Sequence, residues 1–163
     1  MKRIILCLLI AAVTLLAGCS NGAHGLDPNA FYVEADVKCE GVYILEGEYS
    51  LDGVPMGGRS IQNANFEMDL PKGDTEYYRF LPEDFPDSAD VDRSTFGISF
   101  EVVDRDGTRH TVIPAPEKYG GTDYAPNANA DGIDEWRWQA QFGGEYKFAL
   151  ESSQGGYLIY PVS

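Results

Sequence analysis

The sequence predicts an all-β fold for residues 31–163: an antiparallel β-sandwich of immunoglobulin-like or jelly-roll-like type, with about eight or nine strands. Three observations support this prediction. Apolar and polar residues alternate in short runs, turns rich in Gly, Pro and Asp separate these runs, and no long helical period is present. This pattern is typical of sheets with one buried and one solvent-facing side, and a β-barrel is the second choice.

The first half of this region contains three alternating runs. Residues 31–39 place five apolar side chains on one face, namely Phe31, Val33, Ala35, Val37 and Cys39. Residues 43–51 form a second run, and the Asp-Gly pair at 52–53 predicts the turn that ends it. Residues 61–70 show the same period more weakly. We therefore expect a strand in each of the three segments.

The second half gives the clearest hairpin. Within residues 96–113, two alternating runs flank an Asp-Arg-Asp-Gly turn at 104–107. Three more strands are predicted near the C terminus, at residues 136–142, 146–150 and 157–161, with Gly-Gly pairs between them. These runs complete the expected strand count.

Two segments do not fit the strand pattern. Residues 81–94 are acidic and proline-rich, and 87–92 could form one helical turn. Residues 114–134 form a long segment without periodicity. Loops of that length are uncommon unless they are functional or mobile, and the sequence does not decide between these alternatives.

The N terminus predicts an exported protein. A basic start from Met1 to Arg3 precedes an apolar segment at 4–17, and small residues follow. This arrangement is that of a secretory signal, and the apolar segment is shorter than the roughly 17–25 residues of a membrane-spanning helix. An ordinary signal with a chance cysteine near its end is the alternative.

The segment Leu16-Ala17-Gly18-Cys19 resembles the lipobox of bacterial lipoproteins. The resemblance implies cleavage just before Cys19 and attachment of a diacylglycerol to its thiol, with two acyl chains providing a stable membrane anchor. Residues 1–18 would then be the signal peptide, and 19–30 the lipidated cysteine and a flexible tether. The resemblance implies an extracytoplasmic protein anchored to a bacterial membrane, facing the cell surface or the periplasm, and says nothing about residues 31–163.

The charge of the chain limits its partners. The formal charge is −14, and removal of residues 1–18 leaves 10 basic against 26 acidic side chains. Such a surface repels phosphate backbones, so we expect no nucleic-acid binding. It also disfavours direct contact with anionic lipid, which leaves the Cys19 lipid as the expected membrane contact. Solubility alone is a sufficient alternative explanation for the acidity.

Three cysteines are present, and processing would leave Cys39 without an intramolecular disulfide partner. Cys7 lies in the signal peptide, and Cys19 would carry the lipid. Because Cys39 ends an alternating run, we predict that it is a small buried apolar side chain.

One segment within the aperiodic region resembles the opening of a calcium-binding loop. Oxygen-bearing side chains recur there, and the candidate ligands are Asn127, Asn129, Asp131, Asp134 and Glu135. Calcium prefers six to eight oxygen ligands, but Trp138 stands where a loop of EF-hand type would end in a bidentate Glu. The same residues are also ordinary loop formers, so no cofactor is expected other than this candidate calcium ion.

Aromatic residues provide a second candidate site. Tyr119 and Tyr124 lie outside any strand pattern and could bind a glycan or a protein partner. The alternative is that both rings fold back onto the sheet. Trp136 and Trp138 share a face with Ala140, which predicts core packing for both.

Catalysis has little support in the sequence. The two histidines, His24 and His110, lie in the tether and in a predicted strand, and no zinc, P-loop or dinucleotide motif is present. We therefore predict a non-enzymatic binding or interaction module. The alternatives are a small glycan-active or other hydrolytic enzyme that uses loop carboxylates, or a structural calcium-binding module.

Overall fold

The computed structural model describes residues 27–60 and 69–162, which form an almost entirely β structure and confirm the predicted fold class. Ten strands are present among these residues. They are β1 (Phe31–Val37), β2 (Ile44–Leu51), β3 (Val54–Ser60), β4 (Thr75–Phe80), β5 (Phe96–Val103), β6 (Arg109–Pro114), β7 (Ala125–Ala128), β8 (Asp134–Trp138), β9 (Glu145–Ser153) and β10 (Gly156–Pro161).

The strands form one curled sheet in the order β3-β2-β5-β6-β10-β9-β1-β4, with β8 attached to β5 and β7 attached to β8. Two pairings, β1 with β9 and β6 with β10, are parallel, so the sheet is mixed where the sequence predicted antiparallel pairing throughout. Sequence alternation reports which side of a strand is buried and does not report the direction of its neighbour. Both parallel pairs join strands that are distant in the sequence, where no short turn fixes the direction.

Two strands share one edge of β5. The strand β2 pairs with β5 along its whole length, so the remaining partners must lie on the other edge. There, Phe96–Ile98 pairs with β8 and Phe100–Val103 pairs with β6. The strands β6 and β8 therefore diverge at Ser99, and this fork shapes the surface described below.

One side of the sheet, here the inner face, carries an aromatic core. The rings of Phe31, Phe80 and Phe96 lie with centroids 4.9–5.0 Å apart. Trp136 and Trp138 are also buried, as predicted, and the indole of Trp136 donates a hydrogen bond to a backbone carbonyl at 3.0 Å. Aromatic packing of this kind contributes beyond the buried area alone. The other side of the sheet is the outer face.

The predicted turns and the burial of Cys39 are confirmed. Asp52 and Gly53 have φ of 51° and 80°, the pair of positive φ values that a two-residue hairpin of type I′ requires. The β5–β6 hairpin turns at residues 104–107, with Gly107 at φ 86°. Cys39 is 6% exposed and unpaired.

Other sequence predictions for local structure need correction or are not covered. Residues 114–134 are not wholly irregular, because they contain β7, whose residues are all exposed and which is held by backbone pairing to β8. Strands β3 and β4 were not predicted. The helical turn expected at 87–92 is shifted, with the Ser94 N–H bonded to the Asp90 carbonyl at 2.9 Å. Most of the strand predicted at 61–70 lies outside the described residues.

Candidate functional site

A groove of about 430 Å³ opens on the outer face where β6 and β8 diverge. Its lining includes Glu48, Ser99, Glu101, Thr111, Ile113 and Asp134. We call it the outer-face groove. Concave surfaces with apolar walls and a few convergent polar groups are the usual places for ligand binding.

Sheet register explains why these side chains meet. Glu48 lies opposite Ser99, and Glu101 lies opposite Thr111, so all four share the outer face. The hydroxyl of Ser99 lies 3.4 Å from the carbonyl oxygen of Glu48. Ile113 follows Thr111 on the same side of β6. The floor of the groove is therefore the sheet, and its far wall is the end of the β7–β8 hairpin.

The groove is acidic, and only one of its three lining carboxylates, Glu101, has a cationic neighbour among the described residues. None of its described lining residues is Lys, Arg or His. At one end Arg109 pairs with Glu46 and lies 3.4 Å from Glu101. Glu48 and Asp134 form no ion pair with the side chains that the structure describes. Carboxylates next to apolar walls produce a focused negative potential.

A buried carboxylate next to the groove residue Asp134 holds the β7–β8 hairpin. Glu135 is 1% exposed, and its Oε1 accepts hydrogen bonds from the Ser50 hydroxyl at 2.6 Å and the Arg137 Nε at 2.7 Å. Its Oε2 is buried without a hydrogen-bond partner among the described residues. Arg137 also donates to the Ala128 carbonyl at 2.7 Å. Ser50, Glu135 and Arg137, here called the Glu135 cluster, thus tie β2, β7 and β8 together.

Gly97 makes room for this cluster. It lies between Ser50 and Arg137 in the sheet. A Cβ at Gly97 would come within 2.3 Å of the Glu135 Oε1 and 2.4 Å of the Ser50 hydroxyl oxygen. A side chain at this position therefore cannot coexist with the observed hydrogen bonds.

The candidate calcium residues are distributed over different roles. The Asn129 side-chain oxygen accepts the backbone N–H groups of Asp131 and Ile133, both at 3.0 Å. Glu135 is directed to Ser50 and Arg137, and Asp134 lines the outer-face groove. No group of three or more His, Cys, Asp or Glu side chains arranged for a metal occurs within residues 27–60 and 69–162. Calcium binding stays a prediction.

Asn127 and Asp131, the remaining two candidates, are exposed at the hairpin. Asn127 lies opposite Glu135 in the β7–β8 ladder. Asp131 belongs to the turn that Asn129 closes.

The two candidate loop tyrosines pack against the aromatic core. The rings of Tyr119 and Tyr124 are 5.4 Å apart, and they contact Trp136 at 6.2 Å and Trp138 at 5.2 Å respectively. Burial raises the pKa of the Tyr124 phenol well above its usual value. Both side chains are half-buried, so their outer parts remain on the surface.

His110 is part of a local polar contact. Its Nε2 lies 2.8 Å from the Asp104 carboxylate, and its ring meets the edge of Tyr157 at 5.7 Å. The contact joins the two ends of the β5–β6 turn. It supplies an ordinary structural role for the one histidine in the described part of the chain.

A second and larger hollow of about 610 Å³ lies over residues 82–92 and Phe142. It is also acidic, with Glu83, Asp87 and Asp90 in its lining. It is formed almost entirely by one loop, whereas the outer-face groove is formed by four strands and a hairpin turn. Asp90 is already paired with Arg93 at 3.5 Å.

The sequence did not reveal the outer-face groove or the Glu135 cluster, because both depend on which strands are neighbours. Leu16, Ala17, Gly18 and Cys19 lie outside the described residues, as does His24. In the part of the chain that the structure covers, no helix is long and apolar enough to span a membrane. No protein family, curated protein or solved structure matches the chain.

Proposed function

We propose that the chain is a lipid-anchored extracytoplasmic lipoprotein whose β domain is a binding module and not an enzyme. The lipobox at residues 16–19 supports the anchor and the location. The membrane contact is the lipid on Cys19, and the partner of the β domain is a protein or a glycan. The acidic charge of the chain argues against nucleic acid as a partner.

The outer-face groove is the observation that supports binding. It combines two carboxylates that form no ion pair with a described side chain, Glu48 and Asp134, with Ile113, which is 60% exposed and is the most exposed of the large apolar side chains in the described region. Exposed apolar groups beside convergent polar groups are typical of interaction surfaces. His110, the one histidine among the described residues, is held by Asp104 and does not line the groove.

Intact mass of the protein from membranes tests the anchor. The full-length wild-type protein and Cys19→Ala are expressed in the same bacterial host. We expect a chain that begins at residue 19 and carries a diacylglycerol, and we expect the variant to lose both processing and lipid. An unlipidated wild-type chain in the soluble fraction would show that the protein is freely secreted.

A ligand screen distinguishes binding from catalysis. The mature lipoprotein in neutral detergent is heated with each member of a panel of glycans and peptides, and each ligand is then recovered and weighed by mass spectrometry. We expect at least one ligand to raise the Tm in wild type, to be recovered intact, and to have less effect on Ile113→Ser. Recovery of a cleaved ligand, with cleavage lost in Asp131→Asn or Asp134→Asn, would identify a hydrolase instead.

A further inference from the structure

We propose that the outer-face groove is a docking site for a cationic peptide segment, whose basic side chains lie at Glu48 and Asp134 and whose apolar side chains pack on Ile113. This inference rests on the proposed binding function and defines the chemistry of the partner. It commits to a peptide because the groove presents charge and an aliphatic surface side by side.

The charge of the groove selects a cation. Glu48 on β2 and Asp134 on β8 belong to its lining, on strands that pair with opposite edges of β5, and neither forms an ion pair with a described side chain. The nearby guanidinium groups of Arg109 and Arg137 are already held by Glu46 and Glu135. A basic ligand would therefore gain carboxylate partners without displacing an existing cation. The overall charge of −14 would also accelerate its approach.

The apolar part of the groove selects a ligand with a hydrocarbon surface. Ile113 is 60% exposed, and Pro114 and Ile133 continue this surface along the wall. Covering such side chains stabilises a complex in proportion to the apolar area removed from water. A simple metal ion would leave this part of the groove uncovered.

A glycan fits the same groove poorly. Sugars stack on exposed aromatic rings, but Phe100, the aromatic residue that contributes to the lining, is only 2% exposed and belongs to the core. A peptide with both basic and aliphatic side chains matches all parts of the lining. The exposed residues Glu48, Ile113 and Asp134 can be changed without opening the core.

Fluorescence anisotropy with designed peptides tests this inference. The probe is a labelled RRLLRRLLR peptide, and the protein is the mature lipoprotein in neutral detergent at physiological ionic strength. We expect Glu48→Gln combined with Asp134→Asn to weaken binding about tenfold or more, since about 1.4 kcal/mol corresponds to a factor of ten. We expect Ile113→Ser to weaken it about fivefold.

The matched control removes the same charge from the other hollow. Glu83→Gln combined with Asp87→Asn neutralises two carboxylates at residues 82–92, and we expect affinity to stay within about twofold of wild type. An equal loss in this control would show that only overall charge matters, and it would overturn the inference. All variants share the same micelle, so peptide that partitions into detergent gives a signal independent of the groove.

Variant peptides separate failure of this inference from failure of the binding function. Binding of RRSSRRSSR as tight as that of the probe would reject the apolar contact. Binding of QQLLQQLLQ as tight as that of the probe, and sensitive to Ile113→Ser, would reject the cationic partner while the binding function stands. If the RRLLRRLLR probe does not bind the wild-type protein, the cationic-peptide inference is wrong. The ligand screen then tests the binding function separately.

Discussion

The two faces of β5 are fixed by different physical effects. On the inner face, four alternating apolar side chains from residues 96–102 join the aromatic core. On the outer face, Gly97 makes room for a buried carboxylate, and Ser99 and Glu101 contribute to an acidic groove. The inner face gains stability from buried area, which tolerates some repacking. The outer face depends on the placement of a few polar atoms, and this gives it a defined shape and charge.

Loss of an inner-face ring should have the largest effect. Phe96 is fully buried and contacts Phe31, Phe80 and Trp138 with centroids 4.9–5.0 Å away. We expect Phe96→Ala to lower the free energy of unfolding by about 3–5 kcal/mol through lost contacts and a residual cavity. Chemical denaturation measures this change. Val54→Ala, at an exposed position, is the control and should change stability by less than about 0.5 kcal/mol.

Breaking the Glu135 cluster should lower the free energy of unfolding somewhat less than the loss of Phe96. Removal of Glu135 leaves the mostly buried Arg137 guanidinium without its carboxylate, and we expect Glu135→Ala to lower the free energy of unfolding by about 3 kcal/mol. Lys38→Ala breaks an exposed pair of 2.9 Å with Asp36 and should cost less than about 1 kcal/mol. Equal effects of the two substitutions in denaturation would mean that the cluster contributes no more than a surface ion pair.

A methyl group at Gly97 tests whether the side chains of Glu135 and Ser50 can shift without loss of stability. The added Cβ would overlap both Glu135 and Ser50. We therefore expect Gly97→Ala to lower the free energy of unfolding by about 1–3 kcal/mol through overpacking. Gly120→Ala introduces a Cβ with no neighbour within 4 Å and provides the matched control. Thermal unfolding compares the two. A Tm for Gly97→Ala equal to that of the control would show that the cluster shifts easily.

The same contrast explains what the sequence could predict. Burial of the inner face and the β5–β6 hairpin followed from alternation and from one turn motif, both of which are local. The fork at Ser99 was not predictable, because it arises from pairing between strands separated by about 40 residues. Strand β7 was missed because its Ala-Pro-Asn-Ala sequence has no alternation, and it is held by backbone pairing to β8 and by the Arg137 hydrogen bond to Ala128.

The candidate calcium ligands Glu135 and Asp134 also differ in how far the sequence predicted their roles. Glu135 was assigned to a candidate calcium loop because its neighbours bear oxygen atoms, yet register with Gly97 and Ser50 gives it a structural role. Asp134, the adjacent residue, does reach a surface site. The sequence gives no indication of which strands either residue meets, because both positions depend on the pairing of β8 with distant strands.

Glu76 is a carboxylic acid among the apolar side chains of the inner face, and its substitution has the smallest predicted effect on stability. It shares the buried side of β4 with Tyr78 and Phe80 and is 8% exposed. Desolvation, and then repulsion by Asp74, raise the pKa of its carboxyl to about 7. The folded state therefore binds more protons than the unfolded state between about pH 4.5 and 7, and stability must fall as the pH rises through that window.

Substitution of Glu76 by glutamine should remove this pH dependence. The full shift would correspond to at most about 3 kcal/mol, and we expect roughly half because the side chain keeps some contact with solvent. The measurement is the free energy of unfolding of wild type and Glu76→Gln at several pH values, with the exposed Glu145→Gln as control. Parallel curves for wild type and Glu76→Gln would contradict the prediction. Converging curves at low pH would show that the inner face holds the Glu76 carboxyl in the neutral form.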